Sequence, residues 1–371
     1  MNPDPKQSFL YLFFEPIRQF LEDDEVSEIL INGPRQIFVE REGKLQPVAA
    51  SFISAHALEA AVTNVARSVG RWFNRDYPRL DARLPDGSRV HAVLPPLSRV
   101  GTVVAIRKFR REKLTVRKLI DLGTISEEGA LLLELIIHLG RNLIVSGGTS
   151  SGKTSILNVL SGMIPSDERV LVLEDATELQ LQQPHVVSFE TRKPDEHGAG
   201  EIPIRDLLHS SLRLRPDRLV IGEIRGAEAM DLLQAMNTGH DGTLSTIHAN
   251  GPTHALVRLE SCAMLGAAGF PLAALREQVA SAVHVVVQTE RMHDGTRKIT
   301  HVSEVCPLSD GQYVCRDILR FREDPSAPGE KIQGHYILTG HVPEFARRAA
   351  RRGGDVQTLF PRLAKEPKVS D

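Results

Sequence analysis

Between Gly147 and Thr154 the chain reads Gly-Gly-Thr-Ser-Ser-Gly-Lys-Thr, a full match to the phosphate-binding pattern G-x-x-x-x-G-K-[ST]. The pattern constrains both fold and ligand. Its turn must leave a buried strand and enter a helix, so that backbone N–H groups of Gly147, Gly148, Thr149, Ser150, Ser151 and Gly152 can face phosphate oxygens. Lys153 then reaches the β and γ phosphates, and the Thr154 hydroxyl takes one position on Mg²⁺. The flanks agree: 142–146 is a short apolar run, and a helical pattern begins at Ser155. ATP with Mg²⁺ is the ligand this segment implies. An ordinary Gly-rich strand-to-helix turn is the alternative.

The chain has 371 residues, enough for two cores, with 41% hydrophobic and 25% charged residues and a net charge of −2. Bulk electrostatics therefore do not favour a polyanion, and no direct contact with nucleic acid is expected. Cys262, Cys306 and Cys315 form no C-x-x-C pair, which excludes a disulfide framework or zinc finger and suits a reducing cytoplasm. No transmembrane segment or signal-peptide layout is evident.

The first third reads as mixed α and β. Leu10, Phe13, Phe14, Ile17, Phe20 and Leu21 recur at helical spacing, as a core-packed helix or a membrane- or partner-binding one. Strand-like runs follow at 29–31, 37–40 and 102–106, with a pair around Pro85-Asp86-Gly87 and a helix over 55–70. Cations crowd 107–118, and 110–119 reads as a basic linker between domains at 1–109 and 120–371. Beyond it, apolar strands at 142–146, 169–173, 218–221, 243–247 and 284–288 alternate with helices, as in a parallel sheet covered on both faces. A short helical pattern returns at 343–352.

Ligands of such sheets sit at the carboxyl ends of the strands. The polar residues that end these strands are Glu174-Asp175, Glu223 and His248. Glu223 is placed to orient or deprotonate an attacking water, or to hold Mg²⁺ through water; pairing with Arg225 is the structural alternative. Glu174 could share Mg²⁺ or water positioning. His248 could bond the γ-phosphate or be satisfied locally.

These segments also carry a resemblance. Leu214-Arg-Pro-Asp-Arg-Leu-Val-Ile-Gly-Glu-Ile-Arg-Gly226 resembles the Walker B segment of the ATPases of type II and type IV secretion systems and type IV pili. Residues 238–250 resemble that family's histidine box and 173–179 its acidic box. Outside this core, Glu28-Ile-Leu-Ile-Asn-Gly-Pro34, the run from Asp81 to Val90, Ile106-Arg-Lys-Phe109 and the tail from Gly334 are similar to the CpaF type, which serves tight-adherence (Flp) pili. The four-cysteine zinc insertion of many type II members has no counterpart here. The long N-terminal extension common in CpaF proteins is also missing from this sequence.

The resemblance implies an N-terminal PAS-like α/β domain joined to a RecA-like P-loop ATPase domain with a helical tail, in a hexameric ring. Nucleotide would lie between the domains, with Arg83, Arg89 and Arg107 over its phosphates as charge-compensating groups. The implied role is an ATP-hydrolysing motor on an inner-membrane platform, cytoplasmic and peripheral. A conjugative DNA-transfer ATPase, a nucleotide-gated assembly protein with negligible turnover and, more remotely, a small-molecule kinase are the rivals.

Overall fold

The computed structural model describes residues 13–41, 43–84, 86–108, 114–194, 198–325 and 331–346. The chain divides into two compact units, Met1–Lys113 and Leu114–Asp371.

In the first unit, alternating burial makes one-faced strands. Strands β1 (Val26–Asn32), β2 (Ile37–Arg41), β3 (Lys44–Pro47), β4 (Arg79–Arg83), β5 (Arg89–Val93) and β6 (Val103–Arg107) form an antiparallel sheet in the order β3-β2-β1-β6-β5-β4. Its apolar face is covered by a helix over Ala55–Ser68, whose Leu58, Val62 and Val65 are fully buried. Ser54 caps that helix, its hydroxyl accepting from the Ala57 N–H at 3.0 Å. Within the described part of the aromatic stripe, a single turn at Glu15–Ile17, with Pro16 in it, leads into a helix α1 at Arg18–Glu22. Phe14, Ile17, Phe20 and Leu21 are buried in this unit's own core, with Phe13 packed against it, so the described part of the stripe is core. Leu10, Pro85 and 109–113 lie outside the described residues.

The second unit holds a nine-stranded sheet. Strands β7 (Leu143–Gly147), β8 (Val170–Glu174), β9 (Val186–Glu190), β10 (Arg218–Ile221), β11 (Leu244–His248) and β12 (Val285–Arg291) are parallel, in the order β12-β7-β11-β10-β8-β9. Strands β13 (Arg297–Ser309), β14 (Gln312–Glu323) and β15 (Gly334–Leu338) extend the β12 edge antiparallel. Successive residues of one strand enter opposite cores. Val145, Val172 and Val220 pack on one face, Ile144, Leu171 and Leu219 on the other. That double burial is why these strands are continuous apolar runs. The segment read from its charge as linker is helical over Val116–Asp121, with Leu119 buried in this unit. Of the expected tail helix, 347–352 lies outside the described residues.

Candidate nucleotide site

Strand β7 is buried throughout and ends at Gly147, where the chain has no room for a side chain. A Cβ there would meet Ser151 Oγ and the Thr289 carbonyl oxygen, both at 2.4 Å. The loop then turns through two left-handed residues, Ser150 (φ 59°) and Gly152 (φ 95°), before helix α5 (Lys153–Ser161, numbered after α2 Ala55–Ser68, α3 Val116–Asp121 and α4 Glu127–His138). Such turns aim successive N–H groups into one concavity, to which α5 adds its N-terminal dipole.

The cradle is braced from inside and behind. Ser151 Oγ donates to the Gly148 carbonyl at 3.0 Å. Thr289 of β12 donates to the Ser151 carbonyl, and Arg297 of β13 to the Ser150 carbonyl, each at 3.0 Å. A Cβ on Gly148 would meet nothing within 4 Å, so the approach to the cradle is open. Open backbone donors, a helix N-terminus and a lysine fit the phosphate tail of a nucleotide. The donor set for Mg²⁺ is sparse, since no group of three or more His, Cys, Asp or Glu among the described residues could hold a metal. A hard cation that keeps several waters and shares phosphate oxygens suits such a site, where the Thr154 hydroxyl could serve as one ligand.

The strand-end residues gather around Lys153. Its Nζ donates to the Gly148 carbonyl at 2.8 Å and lies 3.2 Å from His248 Nδ1. His248 Nε2 lies 3.0 Å from Glu223 Oε1, while Arg225 Nε donates to Glu223 Oε2 at 2.9 Å. Lys153 Nζ lies within reach of both ring nitrogens, 3.2 Å from Nδ1 and 3.5 Å from Nε2, so a ring nitrogen facing the ammonium is placed as an acceptor. The same neutral ring follows from electrostatics. Burial lowers the His248 pKa first, the Lys153, Arg225 and Arg258 cations lower it further, and Glu223 alone among these opposes them.

Glu174 stands next along the strand ends, 3% exposed. Its Oε1 accepts from the backbone N–H groups of Glu178 and Leu179 at 2.9 and 3.0 Å, which fixes the turn after β8. Asp175 lies 3.5 Å from Arg225 Nη1. Thr149, Glu223, Ile224, Arg225, His248 and Arg258 line a cleft of about 440 Å³. Sequence reasoning missed Arg258, Thr289 and Arg297, none of which carries a motif of its own.

Arg83, Arg89 and Arg107 belong to the first unit. Arg83 pairs in register with Arg89, and Arg89 with Arg107, so the three form one cross-strand row on a single face of the sheet. Glu28 continues the row beside Arg107, its carboxyl raised above the usual range by burial and by Glu40 while Arg107 opposes. Like charges side by side repel, and Glu28 beside Arg107 offsets part of that charge.

The family profile described as type II/IV secretion system protein matches residues 13–306. A Mycobacterium tuberculosis protein named for conjugal transfer is 34% identical over 293 residues, 77% of this chain and 83% of its own length. PtlH, a type IV secretion system protein of Bordetella pertussis, is 32% identical over 318 residues, 78% of this chain and 92% of its own. Among solved structures, the pilus retraction motor PilT with bound ADP is 18% identical, covers 96% of this chain and 89% of its own, and superposes with a TM-score of 0.53. That likeness shows the RecA-like fold.

Proposed function

We propose that this chain, which belongs to the type II/IV secretion system ATPase family, is an ATP-hydrolysing motor of a secretion, conjugation or pilus-assembly machine. The observation that carries the reading is that two strand ends bring His248 and Glu223 onto Lys153 of the phosphate loop. Residues Gly147 to Thr154 bind the phosphates of ATP. Thr154 and the Glu223 and Glu174 carboxylates would hold Mg²⁺, which would supply charge neutralisation at the phosphate oxygens. Glu223 orients the attacking water and takes its proton, and His248 holds Glu223 in place. Arg83, Arg89 and Arg107 supply compensating charge for the phosphoryl oxygens. Domains read from the sequence as 1–109 and 120–371 are proposed to meet within the basic 110–119 segment, of which 114–119 packs with the second unit, and the chain is proposed to assemble as a homohexamer against inner-membrane platform proteins.

Within the family, the segments at 28–34, 81–90, 106–109 and from Gly334 favour the CpaF type of Flp pilus ATPase. The relative named for conjugal transfer favours the second reading, a conjugative DNA-transfer ATPase. The reaction is tested with Lys153→Ala. Removing the cation at the β and γ phosphates is expected to abolish phosphate release and weaken nucleotide binding. Near-normal turnover in that variant would end the phosphate-loop reading.

A further inference from the structure

The loop between α2 (Ala55–Ser68) and β4 (Arg79–Arg83) in the N-terminal unit has a composition that its fold does not require. From Arg67 in the last turn of α2 to Arg79 at the start of β4, the stretch carries Arg67, Arg71, Arg75 and Arg79 against a single acid, Asp76, and every one of these arginines is exposed. None of the four has an ion pair among the described residues. The loop also holds the chain's one tryptophan. Trp72 is 58% exposed and Tyr77 49%, whereas Phe73 between them is 3% exposed and anchors the loop in the core.

This is a built presentation. The Arg71 N–H donates to the Ala66 carbonyl at 2.8 Å, and the Asn74 side-chain oxygen accepts from the N–H groups of Asp76 and Tyr77, each at 2.9 Å. The Leu94 N–H donates to the Pro78 carbonyl at 2.8 Å, which brings the segment after β5 to the same end of the sheet. That segment adds exposed Leu97, at 59%, and Arg99.

An amphipathic indole and phenol flanked by uncompensated guanidiniums match the boundary of an anionic bilayer. Aromatic rings settle there at headgroup depth, while cations gain from the negative surface potential. We propose that this loop docks the N-terminal unit directly onto an anionic lipid surface. The proposal deepens the peripheral location in the functional reading by assigning the contact to lipid as well as protein.

Trp72 makes the test direct, because all tryptophan emission comes from the proposed contact. The full chain is titrated with vesicles of phosphatidylglycerol and phosphatidylcholine, with pure phosphatidylcholine vesicles and with a single-stranded oligonucleotide. A blue shift and co-sedimentation with the anionic vesicles only, reversed at high salt, are expected. Arg71→Ala with Arg75→Ala should weaken vesicle binding by about tenfold or more at an unchanged melting temperature, given about a kcal/mol per arginine near such a surface. Lys153→Ala should lose phosphate release yet keep vesicle binding, which separates this proposal from the motor reading. No Trp72 shift with anionic vesicles, a shift with the oligonucleotide instead, or undiminished binding by the double variant would overturn it.

Discussion

His248 shows how one side chain is set by its neighbours. Its ring lies between an ammonium and a carboxylate, and burial together with the nearby cations holds its pKa below the ordinary histidine value. The sign of the consequence follows. As pH falls through the ordinary histidine range, the unfolded chain takes up this proton before the folded one does, so stability declines toward acid. Replacing His248 with Gln should remove that share of the decline. Melting temperatures of wild type and His248→Gln between about pH 7.5 and 5.5 should therefore converge or cross as pH falls. Parallel curves would show that His248 is not held neutral. The strand-end position of His248 was legible in the sequence, but its contact with Lys153, 95 residues away, was not. Spacing carries no record of which strand ends become neighbours.

Among elements, the phosphate loop depends on strands that the sequence hid. The five apolar strands lie within about a residue of their expected starts, since burial on both faces selects unbroken β-branched runs. Strand β9 (Val186–Glu190) escaped notice because it is an edge strand with half-buried residues. Strands β13 and β14 escaped because they mix polar and apolar residues over twelve or thirteen positions and pair antiparallel. Yet β12 and β13 supply Thr289 and Arg297 to the back of the loop. Thr289→Val keeps the shape but leaves the buried Ser151 carbonyl without this donor. A loss of about 1–2 kcal/mol is expected in denaturant unfolding, with weaker nucleotide binding. Unchanged binding and stability would show that the loop holds its form without the extension.

At the scale of the whole molecule, two units with separate cores must contribute to one cycle if the motor reading holds. In the proposed motor, the arginine row at Arg83, Arg89 and Arg107 would be the N-terminal unit's contribution. Arg89 is its middle member, and each arginine in it sits on a strand end or edge position outside the packed face. Arg89→Ala should therefore lower ATP turnover while leaving the melting temperature nearly unchanged. It should also shrink the stabilisation given by a non-hydrolysable ATP analogue. Wild-type turnover with undiminished analogue stabilisation would confine the N-terminal unit to docking.

No helix among the described residues is long and apolar enough to cross a membrane. The fold class and the phosphate loop were readable from the sequence because both rest on local patterns. The arginine row was suggested only by resemblance, since cross-strand register has no signature in spacing.

The claim on which everything else rests is that Glu223 acts on water at a nucleotide bound by this loop. Phosphate release and nucleotide affinity of Glu223→Gln and wild type, measured side by side with Mg²⁺ and ATP, test it most directly. Glutamine keeps the size and one hydrogen-bonding oxygen but cannot accept a proton. The account predicts nucleotide binding close to wild type with hydrolysis reduced at least about tenfold, roughly 1.4 kcal/mol of transition-state stabilisation. Hydrolysis at the wild-type rate would contradict it, leaving Glu223 a structural partner of Arg225 and His248.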